Sequence, residues 1–255
     1  MEALFAALEN EESLQKIIDS KADLEVQDRL DRTALMFAAA HDNPACLQQL
    51  LDAKVNLEIK DSHGETALMW SVKANKRACT RLLLAAKADV HVTNHIGETA
   101  LLLAAQHNNV AGLHLLIDAR ADLEAGDYDG KTALTWAAHK GLTECAQLLL
   151  DANADLEARD DRGKTALMRA VLEGRITFAR FLVNANADLD AKCRLDKTAL
   201  MWAAELGHSA CMQLLIDAKA NVDVPSSTSA VLLATTFGEH ACLQLQLLID
   251  AKATI

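Results

Sequence analysis

Cysteine, histidine and tryptophan are the side chains that could do specialised work in this chain, and it carries six, nine and three of them in 255 residues. Cysteine and histidine together bind zinc when they stand in pairs such as CxxC or HExxH, because four ligands must converge on one tetrahedral ion. Neither spacing occurs. There is also no GxSxG turn to expose a serine nucleophile and no GxxxxGK[ST] loop to cradle phosphates. Acid–base chemistry would require odd residues converging at one place, and no such cluster breaks the regular part of the sequence. The sequence therefore predicts no enzyme, no catalytic residue, no metal ligand and no cofactor.

The tryptophans carry a different signal. "TALMW" stands at 66–70 and 198–202, and "TALTW" at 132–136. The Thr of "TAL" recurs at 33, 66, 99, 132, 165 and 198, a strict period of 33. The Asp closing the second apolar run recurs at 52, 118, 151, 217 and 250, with Ala85 and Asn184 at the missing beats. A fixed period of this length is the mark of a stacked repeat.

Each repeat reads as two short helices and a turn. Thr198 stands where its hydroxyl can cap the first helix. Leu200, Ala203 and Ala204 follow at helical spacing as one apolar stripe. Gly141, Gly174 and Gly207 stand where first helices should stop. A second helix runs from Ser209 to about Asp217, with Met212, Leu215 and Ile216 inward. An extended stretch then leads to an Asp-x-x-Gly turn, as in "DSHG" at 61–64, "DYDG" at 127–130 and "DDRG" at 160–163. Two of these turns carry Asp31 and Asp196 where the others have Gly64, Gly97, Gly130 and Gly163, so local strain is expected there.

This pattern resembles the ankyrin repeat, with its 33-residue period, its turn plus two helices and its T-P-L-H-x-A signature. The resemblance covers nearly the whole chain, with six clear units and degenerate ones at each end. The signature Pro is Ala in all six, and the signature His is Met36, Met69, Leu102, Thr135, Met168 and Met201. In the family that His ties neighbouring turns together, so the resemblance implies looser turns here. A column of acids at Glu25, Glu58, Glu124, Glu157, Asp190 and Asp223 supplies much of the negative charge. The predicted fold is an all-α ankyrin solenoid of stacked helix-turn-helix units joined by turns or short hairpins. It is read as a single domain over 1–255, with a capping unit at about 1–28, regular units over about 29–222 and an irregular unit over about 223–255.

Five cysteines, Cys46, Cys79, Cys145, Cys211 and Cys242, fall at matching places on second helices and read as small buried filler. Stacked elements lie about 8–10 Å apart, too far for a disulfide, which needs Cα atoms within about 7 Å. Thiols that do not bridge suit a reducing compartment, and cytoplasmic localisation is expected. Cys193 lies in a turn and is expected to be exposed. Among the histidines, His41 and His107 share one repeat slot, and His63 and His95 stand in turns.

Counted from the capping Thr, the tryptophan slot lies about 200° around the helix from the core Leu. It therefore faces the side carrying the turns, which the resemblance identifies as the concave groove. The slot reads Phe37, Trp70, Leu103, Trp136, Arg169 and Trp202, and beside it lie the turn residues His63, Ile96, Tyr128, Arg162 and Arg194. Aromatics and Arg beside polar neighbours have the composition of an interaction hot spot. These eleven residues are the expected partner-binding set, and a partner lying across several units would meet all three tryptophans.

The functional expectation is a non-catalytic scaffold that binds a partner protein or peptide in that groove. The alternative is a regulatory or targeting ankyrin domain cut from a larger enzyme or channel. A net charge of −11 argues against nucleic acid, whose phosphates need a basic face. No apolar run approaches the ~18–20 residues of a spanning helix, and no secretory signal is evident at the start, so no membrane partner is expected. The last unit offers Val231, Leu232, Leu233, Phe237, Leu245, Leu247 and Ile255 without a polar cover, which points to self-association or further repeats. Its cap slot falls at Ser229 and a Pro225-containing stretch replaces the usual turn, so a distorted junction is expected there.

Overall fold

The computed structural model describes residues 2–8 and 10–222. The expected distorted junction at Pro225 and Ser229, Cys242 and the apolar C-terminal unit lie outside them. Among the described residues there are fourteen helices and no strand, so the connections are turns, not hairpins with paired strands. The backbone divides into two compact units, Met1–Tyr128 and Asp129–Ile255.

The first unit contains α1 (Glu2–Ala7), α2 (Glu11–Asp19), α3 (Ala34–Ala40), α4 (Pro44–Asp52), α5 (Ala67–Lys73), α6 (Arg77–Ala85), α7 (Ala100–Gln106) and α8 (Val110–Asp118). The second contains α9 (Ala133–Lys140), α10 (Thr143–Asp151), α11 (Ala166–Leu172), α12 (Ile176–Asn184), α13 (Ala199–Glu205) and α14 (Ser209–Asp217). Within each unit the helices form two rows. In the first unit α3, α5 and α7 lie side by side, backed by α4, α6 and α8; in the second α9, α11 and α13 do the same in front of α10, α12 and α14.

The first helices start where the repeated Thr places them. Thr33, Thr99, Thr132, Thr165 and Thr198 each accept the N–H three residues on, while Thr66 makes no such side-chain bond. Ala34, Ala67, Ala100, Ala133, Ala166 and Ala199, which replace the signature Pro, are all buried. Leu134, Ala137 and Ala138 of α9 face Cys145, Ala146 and Leu149 of α10, and every one of the six is at most 1% exposed. Small residues at these contacts let the two rows approach closely.

First helices end in a left-handed residue in every complete repeat. Gly141, Gly174 and Gly207 fill that slot as expected, but Asp42, Asn75 and Asn108 take the same positive φ elsewhere. A second left-handed slot follows each second helix and never holds glycine: Lys21, Lys54, Lys87, Arg120, Asn153, Asn186 and Lys219.

Consecutive turns are joined by backbone. Ser62 N–H donates to Leu30 O, His95 N–H to His63 O and Tyr128 N–H to Ile96 O in the first unit, at 3.0, 3.0 and 3.1 Å. Asp161 N–H donates to Asp129 O and Arg194 N–H to Arg162 O in the second, at 2.9 and 3.0 Å. The looser turns implied by the missing His are therefore not found, because main-chain groups make the link. The acid column makes another. Glu25 accepts from Asn56 N–H, Glu58 from Asp89 N–H, Glu157 from Asp188 N–H and Asp190 from Asn221 N–H, all at 2.8–2.9 Å. A column that reads as surface charge in the sequence is a set of inter-repeat struts.

Candidate partner-binding face

The turn that opens each repeat begins with an Asx residue in every case but Cys193, and that residue organises the turn side. Asp61 is buried, and its Oδ1 accepts the N–H of His63 and of Glu65, both at 2.8 Å. Its Oδ2 accepts Trp70 Nε1–H at 2.9 Å. Asp160 repeats this with Arg162 N–H and Lys164 N–H on Oδ1, and with the Arg169 guanidinium on Oδ2. The slot residue nine positions after the Asx is thus clamped to its own turn. Leu103 carries no donor, and there the turn has Asn94, whose Nδ2 donates to Glu98 at 2.8 Å instead. Phe37 also carries none, and Arg32 bridges the gap by pairing with Asp28 at 2.6 Å and lying over the Phe37 ring at 4.6 Å.

These contacts place each expected site residue. Phe37 is half-buried and packs edge-on against Phe5, with ring centroids 4.8 Å apart. Trp70, Trp136, Arg169 and Trp202 are half-buried as well. Leu103 is only 2% exposed, which corrects the expectation that it offers a contact: it forms the floor of a cleft of about 380 Å³ lined also by His63, Glu65, Ile96, Glu98 and Gln106. The turn residues differ. His63, Arg162 and Arg194 are exposed, and Ile96 and Tyr128 stand at 58% and 73% exposure. Leu30 and Leu195, at neighbouring turn positions, reach 47% and 64%. The slot supplies a half-buried base and the turn tips supply the open surface.

Sequence reasoning missed one column of this face, the residue before the capping Thr. Lys131 lies over the Trp136 ring at 4.7 Å, and Lys164 and Lys197 lie over Trp202 at 4.7 and 4.4 Å. In the first unit the same column holds Glu65, paired with Lys73 at 2.7 Å, and Glu98, bonded to Gln106. The signal was present in the 33-residue register, since Lys or Glu precedes five of the six "TAL" threonines. Lys164 is 8% exposed. Burial, then the neighbouring Arg169, pushes its ammonium below the usual lysine range, against the pull of Asp160.

Cys193 is also corrected: it is 6% exposed, not open. It occupies the Asx position of its turn, where backbone geometry points the side chain inward. The other described thiols, Cys46, Cys79, Cys145 and Cys211, lie buried in the second-helix row. Burial pushes Cys79 and Cys145 up to about 11. No group of three or more His, Cys, Asp or Glu side chains among the described residues is placed to hold a metal ion.

Comparison with known proteins fits the geometry. The chain matches the family described as ankyrin repeats (3 copies) over residues 3–94, 74–160, 101–193 and 157–226. It belongs to the ankyrin-repeat family. The ankyrin repeat domain of Bcl-3, described as a unique member of the IkappaB protein family, is similar at 26% identity and TM-score 0.76, covering 84% of this chain and 97% of that one. The human ASB11 ankyrin repeat domain shares the fold at 24% identity and TM-score 0.74, covering 86% and 98%. No protein with a curated description matches. Ankyrin repeat domains are in general protein-interaction modules. No helix among the described residues is long and apolar enough to cross a membrane.

Proposed function

We propose that this ankyrin-repeat protein is a non-catalytic module that binds a protein or peptide segment on the faces formed by its turns and first helices. The observation that supports this most is the exposure of large apolar side chains on hydrogen-bonded turns: Ile96 and Tyr128 in the first unit, Leu195 in the second. Burying them on a partner releases water from apolar surface that folding leaves open. Backbone bonds hold these turns, with Asn94 side-chain bonds added around Ile96, so little ordering entropy is lost on contact. Arg162 and Arg194 stand beside Leu195 and supply donors for carboxylates or carbonyls. The acidic net charge of −11 favours protein over nucleic acid as the partner, and buried thiols suit a cytoplasmic setting.

The test is quantitative capture from a cell extract with the wild-type chain, Ile96→Asp, Tyr128→Asp and Leu195→Asp, and a back-row control, Gln147→Ala. A protein bound by wild type and control but lost from the turn variants supports the assignment. Equal capture by all five chains contradicts it.

A further inference from the structure

The turn at 193–197 has the donors of its neighbours without their carboxylate. Its backbone matches its neighbours. Cys193 N–H donates to Lys197 O at 3.1 Å and Asp196 N–H to Cys193 O at 2.9 Å, as Asp160 N–H does to Lys164 O at 3.1 Å and Gly163 N–H to Asp160 O at 2.8 Å. The difference is the side chain. In the Asp61 turn one carboxylate satisfies three donors: His63 N–H, Glu65 N–H and Trp70 Nε1–H. The equivalent donors here are Leu195 N–H, Lys197 N–H and Trp202 Nε1–H. None of them has a hydrogen bond among the described residues, and Trp202 Nε1 is buried, which makes it a costly orphan. Lys164, more than nine-tenths buried, puts its ammonium over the Trp202 ring with no carboxylate at ion-pairing distance among the described residues. Arg169, one repeat earlier at the Trp202 slot, has Asp160; Trp202 has Cys193.

An anion carried by a partner cannot complete this set, because both the indole nitrogen and Cys193 are covered. Two oxygens borne by the Cys193 sulfur itself would complete it from within. We propose that Cys193 is an oxidation site whose sulfinate, formed by a peroxide, takes the place of the aspartate carboxylate and locks the 193–197 turn onto α13. Cysteine sulfinate carries two oxygens on the atom bonded to Cβ, as aspartate does. The thiolate attacks hydrogen peroxide, breaking the O–O bond to give sulfenic acid and hydroxide. The deprotonated sulfenate attacks a second peroxide to give sulfinate and water. Sulfur loses two electrons in each step and each peroxide gains them. Burial pushes the second-helix thiols Cys46, Cys79, Cys145 and Cys211 up, which lowers their share of the reacting thiolate.

The experiment treats the full chain with hydrogen peroxide and follows each cysteine by peptide mass spectrometry. In parallel, Cys193→Asp and Cys193→Ser are melted alone and in combination with Trp202→Phe. Two added oxygens are expected on Cys193 before Cys79, Cys145 or Cys211, together with a shift of the Trp202 indole proton that Trp70 does not show. Cys193→Asp should melt about 2–4 °C above Cys193→Ser, and Trp202→Phe should shrink that gap. Oxidation of Cys211 ahead of Cys193 would overturn the proposal. So would a Cys193→Asp chain that melts no higher than Cys193→Ser, or that fails to fold.

Discussion

At the scale of single residues, the positive-φ positions and the Asx turns make the sharpest predictions. Asp31 and Asp196 both sit at φ 57, as the missing glycines implied. Asp31→Gly and Asp196→Gly should leave stability unchanged or raise it by roughly 1 kcal/mol in a denaturant melt. Asp196 is an exposed partner of Lys192 at 3.0 Å, a surface pair too weak to reverse that sign. Asp61→Cys copies the 193 turn into the first unit and should cost about 1.5–3 kcal/mol, the worth of hydrogen bonds to a charged acceptor. A loss well below that range would mean that the Asp61 turn is held by its backbone alone. Trp70 shows what the sequence left illegible. Helical angle points its slot toward the turns but says nothing about what an indole N–H meets, which is Asp61. Only the register of Asp61 against Trp70, nine residues on, discloses the clamp. Leu103 fails for a related reason: an angle gives a direction, and burial depends on what lies over it.

At the scale of elements, the struts between repeats and the close approach of successive turns carry the argument. A Cβ on Gly97 would come within 2.6 Å of the Tyr128 ring and 2.9 Å of its backbone nitrogen, and Gly97 itself has φ 81. Gly97→Ala should therefore cost more than the roughly 1–2 kcal/mol of a left-handed alanine and should change Tyr128 fluorescence. Unchanged stability and emission would place the turns further apart than described. Glu157 offers a pH test. Burial pushes its carboxyl up from 4.5, helped by Asp188 and Asp155 and opposed by the Asp188 N–H and Arg159. A raised carboxyl pKa means the native chain binds more protons than the unfolded one. The stability that proton brings is present below about pH 4.5 and is lost as pH rises through the native value. Glu157→Gln keeps an oxygen for the Asp188 N–H but cannot titrate. Its stability should fall less than wild type in urea melts taken upward from about pH 4; an identical pH profile would remove Glu157 from the account. The helices themselves were the most legible part of the chain, because cap, stripe and stop recur in one register. The acid column was visible too, but its bonds to the next repeat's backbone were not, since a main-chain partner leaves no mark in the sequence.

At the scale of the whole molecule, each unit presents two kinds of residue on its turn side, and they divide stability from binding. The half-buried slot residues are held by Asx turns and by stacked lysines, while the turn tips stay open. Trp136→Ala should therefore weaken the fold less than Leu134→Ala, for which roughly 2–5 kcal/mol is expected from a fully packed core leucine. The Lys131 stack on Trp136 adds a part that a bare groove residue would lack. The repeat period makes the fold readable because every unit must bury the same faces, whereas the tips vary freely and so carry what is particular to this protein. The most direct measurement is hydrogen exchange of the full chain with and without a captured partner. Slowed exchange in the turns at 94–98 and 160–164, with the second helices α4, α10 and α12 unchanged, is what the proposed face predicts. Protection confined to those second helices, with the turns exchanging as before, would contradict it.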